Sequence, residues 1–310
     1  MRLDDQRESD NVEDRRSGGG GFGGGGGGFG RGGMPVLIGG GGLGTVAIIV
    51  VALLLGVDPS FLFQGGDPGQ APQQQQSYPQ GKPAPAPAGG QHGGGDDDAQ
   101  RRFVSRVLAT TEDAWAGLFQ QQGRQYEQPR LVLFSGGTQG GCGMAQSAMG
   151  PFYCPRDHQV YLDLSFFREM ERKLGAPGEF ARAYVIAHEV GHHVQNLLGI
   201  IPRVDAARRS QSEAQSNALS VRLELQADCF AGVWANVTDR QRHFLEPGDI
   251  ESGLNAAAAV GDDRLQQQSA GRVVPESFTH GSSAQRVRWF RQGYESGDVK
   301  RCDTFSADRL

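Results

Sequence analysis

Beyond residue 100 the apolar positions follow helical spacing more often than alternation. Phe103, Val107, Trp115 and Leu118 fall on one helical face and predict a helix over 100–121. The apolar run Leu131–Phe134 reads as a strand, the glycines of 136–143 as a loop, and Val160–Leu164 as a second strand. Further helices are predicted from Ser165 to Leu174, ended by Gly175 and Pro177, and from Gly178 to Leu198, stopped by Gly199. Others are predicted over 205–240, with a break near Asn217, over 249–270, and from Ser282 to Gly293. The expected fold class is α+β, a mainly helical body with a small mixed sheet. Val160–Leu164 is the candidate edge on which an extended peptide could lie.

Before residue 100 the pattern changes. Residues 1–34 are charged and then nearly all glycine, which predicts a disordered arm. Residues 35–57 carry no charge, and at ~1.5 Å rise per residue they are long enough to cross a ~30 Å hydrocarbon layer. One transmembrane helix is expected there, followed by a Gly/Gln/Pro-rich stalk over 58–99 and the folded domain over 100–310. The alternative, a buried Gly-Val-Leu helix, lacks flanking sequence to bury it. Arg15, Arg16 and Arg31 precede the span, whereas Asp58 and Asp67 follow it. This bias predicts a single-pass protein of the cell membrane, N-terminus cytoplasmic and C-terminal domain extracytoplasmic.

Charge and cysteine usage narrow the picture. A net charge of −5 gives no indication of nucleic acid binding. Cys142, Cys154, Cys229 and Cys302 allow three pairings. Cys142 with Cys154 closes a short loop, and Cys229 with Cys302 ties the C-terminus to a helix; four unpaired thiols are the alternative. No Cys-x-x-Cys spacing supports a zinc knuckle.

The candidate chemistry centres on His188-Glu189-Val190-Gly191-His192. Two imidazoles four residues apart share a helix face and can hold one metal ion, with Glu189 placed to act on metal-activated water. Gly191 removes a side chain between them. A third ligand is needed, with one position left open. Glu224, on the next long helix, is the candidate, and Asp228 one turn later can accept a hydrogen bond from a ligand histidine. The alternatives are Asp228 as the ligand, or a solvated acidic face. Arg222 is not spaced to pair with either residue.

His193 points about 100° away and reads as a surface or supporting histidine. His280, on a turn before a helix capped by Ser282, is a candidate to stabilise an oxyanion, with Arg286 close behind. The alternative is an exposed histidine. Asp262, Asp263 and Arg264 either brace the site or form a structural salt-bridge network, and the structural role is the one expected.

The stretches His188–Gln195, Glu224–Gly232, Gly261–Arg264 and Phe278–Arg286, with Gly150–Cys154, resemble the neutral zinc metallopeptidase family of bacteria, whose members are membrane-anchored or secreted. The resemblance runs from about Arg101 to Phe305 and leaves the low-complexity N-terminal part outside. The Glu-x-x-x-Asp element is also similar to that of thermolysin-like peptidases, with Leu223 where those have Asn. The resemblance implies a zincin-like domain, with His188, His192 and Glu224 as zinc ligands and Asp228 steadying a histidine.

The function expected is a zinc-dependent endopeptidase acting on a peptide or protein, with Glu189 as general base. The alternative is a non-catalytic, membrane-anchored envelope protein that binds a partner through the same cleft. An amidase acting on cell-wall peptide uses similar chemistry, but no wall-binding repeat supports it.

Overall fold

The computed structural model describes residues 1–16 and 94–310. Its sheet has four strands: β1 (Val12–Asp14), β2 (Arg130–Phe134), β5 (Phe152–Cys154) and β6 (Gln159–Asp163), in the order β1-β2-β6-β5. β1 and β6 run parallel to β2, and β5 runs antiparallel to β6. A hairpin of β3 (Gly137–Gly140) and β4 (Gly143–Gln146) lies where a plain loop is expected from the glycines. The hairpin and a helical layer cover opposite faces of the sheet. Leu131, Leu133, Val160 and Leu162 enter the main helical core, whereas Val132, Phe134 and Tyr161 pack with Ala145 of β4. Apolar residues therefore run continuously along β2 because both faces are buried. The Cys142–Cys154 disulfide staples the hairpin to β5.

β6 is paired on both sides, so Val160–Leu164 offers no free edge; the outer positions belong to β1 and β5.

The helices are α1 (Gly94–Gln121), α2 (Ser165–Leu174), α3 (Glu179–Leu197), α4 (Ile200–Arg208), α5 (Glu213–Arg242), α6 (Asp249–Ala259), α7 (Asp262–Ala270) and α8 (Ser283–Ser296). The expected helix over 205–240 breaks before Ser212, which caps α5 with Gln215, rather than at Asn217. The expected helix over 249–270 is divided at Gly261, where a Cβ would strike the backbone of Ser283. Ser282 caps α8 through a capping box with Gln285. α3 is buried on nearly every side, against α5, α6 and the sheet. At the crossing of α5 and α8, Gly232 faces the carbonyl of Phe290, and Gly293 faces that of Cys229. Any side chain at either glycine would separate the two helices. The Cys229–Cys302 disulfide closes the same region.

The N-terminal segment corrects the expected domain organisation. Residues 1–16 are part of the folded unit. β1 pairs with β2 in register Val12 to Leu131, Leu3 is buried in the core, and Arg2 N–H donates to the Phe244 carbonyl at 2.8 Å. Buried Glu112 of α1 accepts hydrogen bonds from Arg7, Ser9 and Asn11 at 2.6–2.7 Å. Arg16 reaches the carbonyl of Asp97 at 3.1 Å, so the segment ends beside the start of α1.

The expected transmembrane helix over 35–57, the rest of the arm and most of the stalk lie outside the described residues. Among the described residues no helix is long and apolar enough to cross a membrane. Residues on both sides of that stretch also share one sheet, whereas a single crossing would place them on opposite faces. The single-pass anchor is therefore corrected, together with its cytoplasmic N-terminus and extracytoplasmic domain. α1 starts at Gly94, before residue 100, and the first sixteen residues pack with the folded unit.

Candidate metal centre

His188 and His192 leave α3 one turn apart, with ring centroids separated by 4.8 Å. Gly191 between them meets α5: a Cβ there would lie 3.0 Å from the Ala227 carbonyl oxygen. Gly191 thus permits close approach of the helices, a larger effect than clearing space between the imidazoles. The approach brings Glu224 of α5 onto the pair. Glu224 Oε2 lies 3.2 Å from His188 Nε2, and Oε1 lies 3.5 Å from His192 Nε2.

The ligand atoms of His188, His192 and Glu224 all lie within 4.8 Å of one another, which makes them a candidate metal-binding cluster. Tetrahedral zinc, at about 2.0–2.1 Å from each donor, requires donor separations of roughly 3.3–3.4 Å. The 3.2 and 3.5 Å separations, one to each carboxylate oxygen, are close to that requirement, and two imidazoles plus a carboxylate leave a fourth position. The residues present therefore fit zinc.

Behind the cluster Asp228 is fully buried. It accepts from His188 Nδ1 at 2.9 Å, from the Tyr184 hydroxyl, and from Arg286 Nε and Nη2 at 2.8 Å each. Burial opposes charge on Asp228, but Arg286 and His188 outweigh it and hold the carboxyl below its ordinary range. Burial likewise opposes charge on His188, yet Asp228 and Glu224 raise it to about 10. On Glu224, burial is outweighed by His192 and His188, which keep the carboxylate ionised. Glu189 is nearly buried beside them, and burial raises its carboxyl against the pull of His188 and His192.

Arg286 points into this buried group and also donates to the Val260 carbonyl at 3.2 Å. It lies behind the ligands, engaged with Asp228. His280 lies close enough to Glu224 for each to influence the charge of the other. Its Nδ1 is 3.1 Å from Asp262 Oδ1, and the backbone N–H groups of Thr279, His280 and Gly281 donate to Asp262 Oδ2 at 2.6–3.0 Å. Burial opposes charge on His280, whereas the bond to Asp262, that residue's charge and that of Glu224 raise its pKa.

Of the two readings of Asp262 and Asp263, bracing the site describes Asp262, and a structural role describes Asp263. Asp262 clamps the His280 turn, and Asp263 fixes the start of α8 through Ser283 at 2.7 Å. Arg264 keeps a structural role, donating to the Leu174 carbonyl. His193 is fully buried, not at the surface: its Nδ1 faces the Tyr153 hydroxyl at 3.0 Å, and its Nε2 faces the Glu127 carbonyl at 2.6 Å. It ties α3 to β5. His158 pairs with Glu127, His243 ends α5, and His92 lies outside the described residues.

Two supporting residues were missed in the sequence. Tyr184 stands one turn before His188, and Gln195, 2.8 Å from His192 Nδ1, stands one turn after His192. Their helical spacing was the available signal.

The model of the family described as "Putative neutral zinc metallopeptidase" matches residues 1–305, N-terminal segment included. The chain is similar to the uncharacterized protein YpfJ of Escherichia coli, 52% identical over 305 residues, covering 98% of this chain and 99% of the relative. It is also similar to the uncharacterized protein Mb2605 of Mycobacterium bovis, 48% identical over 226 residues, covering 69% of this chain and 74% of the relative. No solved structure matches. The chain thus belongs to the neutral zinc metallopeptidase family, over a range wider than the resemblance from Arg101 to Phe305 suggested.

Proposed function

We propose that this protein is a zinc-dependent endopeptidase, with His188, His192 and Glu224 as ligands. The observation that carries the reading is the Glu224 carboxylate set between two Nε2 atoms at 3.2 and 3.5 Å, with Glu189 almost buried beside them. Bound zinc supplies Lewis acidity toward water and a peptide carbonyl.

The chain's own groups do the rest. Glu189 takes a proton from the attacking water and passes it to the leaving amine, and its burial favours that exchange by raising its affinity for the proton. His280 donates from Nε2 to the oxyanion that develops on the carbonyl, while Asp262 keeps its ring in place. Asp228 accepts from Nδ1–H of His188, so that Nε2 of this ring faces Glu224 and the ion. β5 is an outer strand of the sheet, tied to α3 through Tyr153 and His193, and its edge is the one we assign to an extended peptide.

The purified full chain is expected to hold about one zinc ion, lost in His188→Ala and Glu224→Ala. Glu189→Gln should keep the zinc while cleavage of a peptide library falls by roughly 10²–10⁴-fold. Equal cleavage by Glu189→Gln and wild type would remove the assigned base. Zinc binding with no cleavage by wild type would favour a binding protein.

A further inference from the structure

His192, like His188, is held from behind, here by a set of buried amides. Gln195 Nε2 lies 2.7 Å from the Leu223 carbonyl oxygen and 3.1 Å from Gln226 Oε1. Gln226 Nε2 lies 2.9 Å from the Cys302 carbonyl oxygen. Both glutamine side chains are buried, at 0% and 5% exposure.

The order of atoms in this chain follows from its ends. A backbone carbonyl only accepts, so Cys302 must receive an N–H from Gln226, which turns Gln226 Oε1 toward Gln195. The Leu223 carbonyl likewise requires an N–H from Gln195. The amide nitrogen of Gln195 thus serves both Leu223 and Gln226, and its Oε1 is left facing His192 Nδ1 at 2.8 Å. That oxygen can only accept. His192 therefore carries a proton on Nδ1, so that in the neutral ring the lone pair of Nε2 is the one turned toward Glu224.

Leu223 immediately precedes Glu224. The same amide that orients His192 thus grips the backbone that carries the third ligand, and α3 and α5 are joined at the metal cluster by one side chain. The relay ends on Cys302, which its disulfide to Cys229 pins to α5.

We propose that Gln195 is a positioning residue of the metal centre: backed by Gln226 and the Cys302 carbonyl, it fixes the tautomer and orientation of His192 and its distance from Glu224. The inference rests on the zinc reading above. It makes Gln195 the counterpart, for the second histidine, of what Asp228 is for the first. An uncharged amide serves here because both of its ends are matched by buried partners.

The test is zinc affinity, measured on the purified full chain by competition with a chromophoric chelator. Gln195→Met keeps the length and removes every hydrogen bond; a loss of roughly 10- to 100-fold in affinity is expected. Gln226→Met should weaken zinc binding by less. In the Gln195→Met background it should add little, because Gln226 acts through Gln195. Cobalt-substituted Gln195→Met should show a shifted ligand-field absorption, which a merely structural role would not produce.

The proposal is overturned if Gln195→Met binds zinc within about twofold of wild type. A Gln226→Met effect equally large with and without Gln195 overturns it too. If Gln195→Met fails to fold, Gln226→Met carries the test by itself, and unchanged affinity in it counts against the relay. A wild-type chain that takes up no zinc overturns the metal reading and this one with it. A zinc-binding wild type with an unaffected Gln195→Met overturns only this one.

Discussion

Arg286 grips both carboxylate oxygens of Asp228, Nε on Oδ2 and Nη2 on Oδ1, each at 2.8 Å, and neither residue is exposed. A buried pair of this kind costs much to desolvate, and its loss is asymmetric: removing one member leaves the other charged without a partner. Arg286→Leu should therefore destabilise the protein by about 3–5 kcal/mol. Replacing Asp228 by Asn in the same variant should recover part of that loss. Urea unfolding of the two variants and wild type measures both effects; a fully stable Arg286→Leu would contradict the account.

His193 predicts how stability depends on pH. Burial lowers its pKa from 6.5 to about 4 in the folded protein. Between those values the unfolded chain binds a proton that the folded one does not, so stability is complete above pH 6.5 and declines as the pH falls toward 4. A depression of that size corresponds to about 3 kcal/mol. His193→Gln, which offers an amide to Tyr153 and Glu127, should flatten this part of the pH profile relative to wild type. Unfolding free energies measured at several pH values supply the comparison, and parallel profiles would remove His193 as the source.

The N-terminal segment should behave as part of the core. Asn11→Leu removes one of the donors to buried Glu112 and is expected to cost about 1–3 kcal/mol. Truncating residues 1–16 leaves Glu112 without Arg7, Ser9 and Asn11, and it bares the edge of β2. That variant should melt lower and aggregate, because an uncovered apolar strand edge pairs with other chains. Thermal melts with light scattering test this; an unchanged melt would separate the segment from the fold.

His280 and its clamp should affect turnover more than metal binding. His280→Ala removes the donor assigned to the oxyanion, and a loss of roughly 10²–10³-fold in kcat is expected with zinc content unchanged. Asp262→Asn keeps the imidazole but weakens its tether, so kcat should fall by less. A change confined to KM would assign His280 to substrate binding instead.

Local periodicity made most of the helices legible. α3 runs from Glu179 to Leu197, where the spacing of Phe180, Tyr184, Ala187 and Val194 indicates a helix. Errors gathered where tertiary contacts override local pattern. β1 was not visible because Val12 is its only apolar residue; the strand exists through backbone hydrogen bonds to β2, which leave no trace in side-chain chemistry. Glu112, His193 and Gln195 are polar residues whose burial the local pattern does not show. Each is buried because a partner distant in sequence satisfies it, and periodicity cannot disclose that partner.

The sequence by itself determined that His188 and His192 share a helix face with Glu189 next to them, since 3.6 residues per turn admits no other arrangement. It also supplied Glu224 and Asp228 one turn apart on another helix. What those faces meet was decided by tertiary structure alone. Gly191 lets α5 approach until Glu224 reaches both imidazoles, and the glycine contacts between α5 and α8 bring Arg286 onto Asp228. Helical period specifies a direction from an axis. Only the packing of one axis against another turns such directions into distances short enough for a metal site.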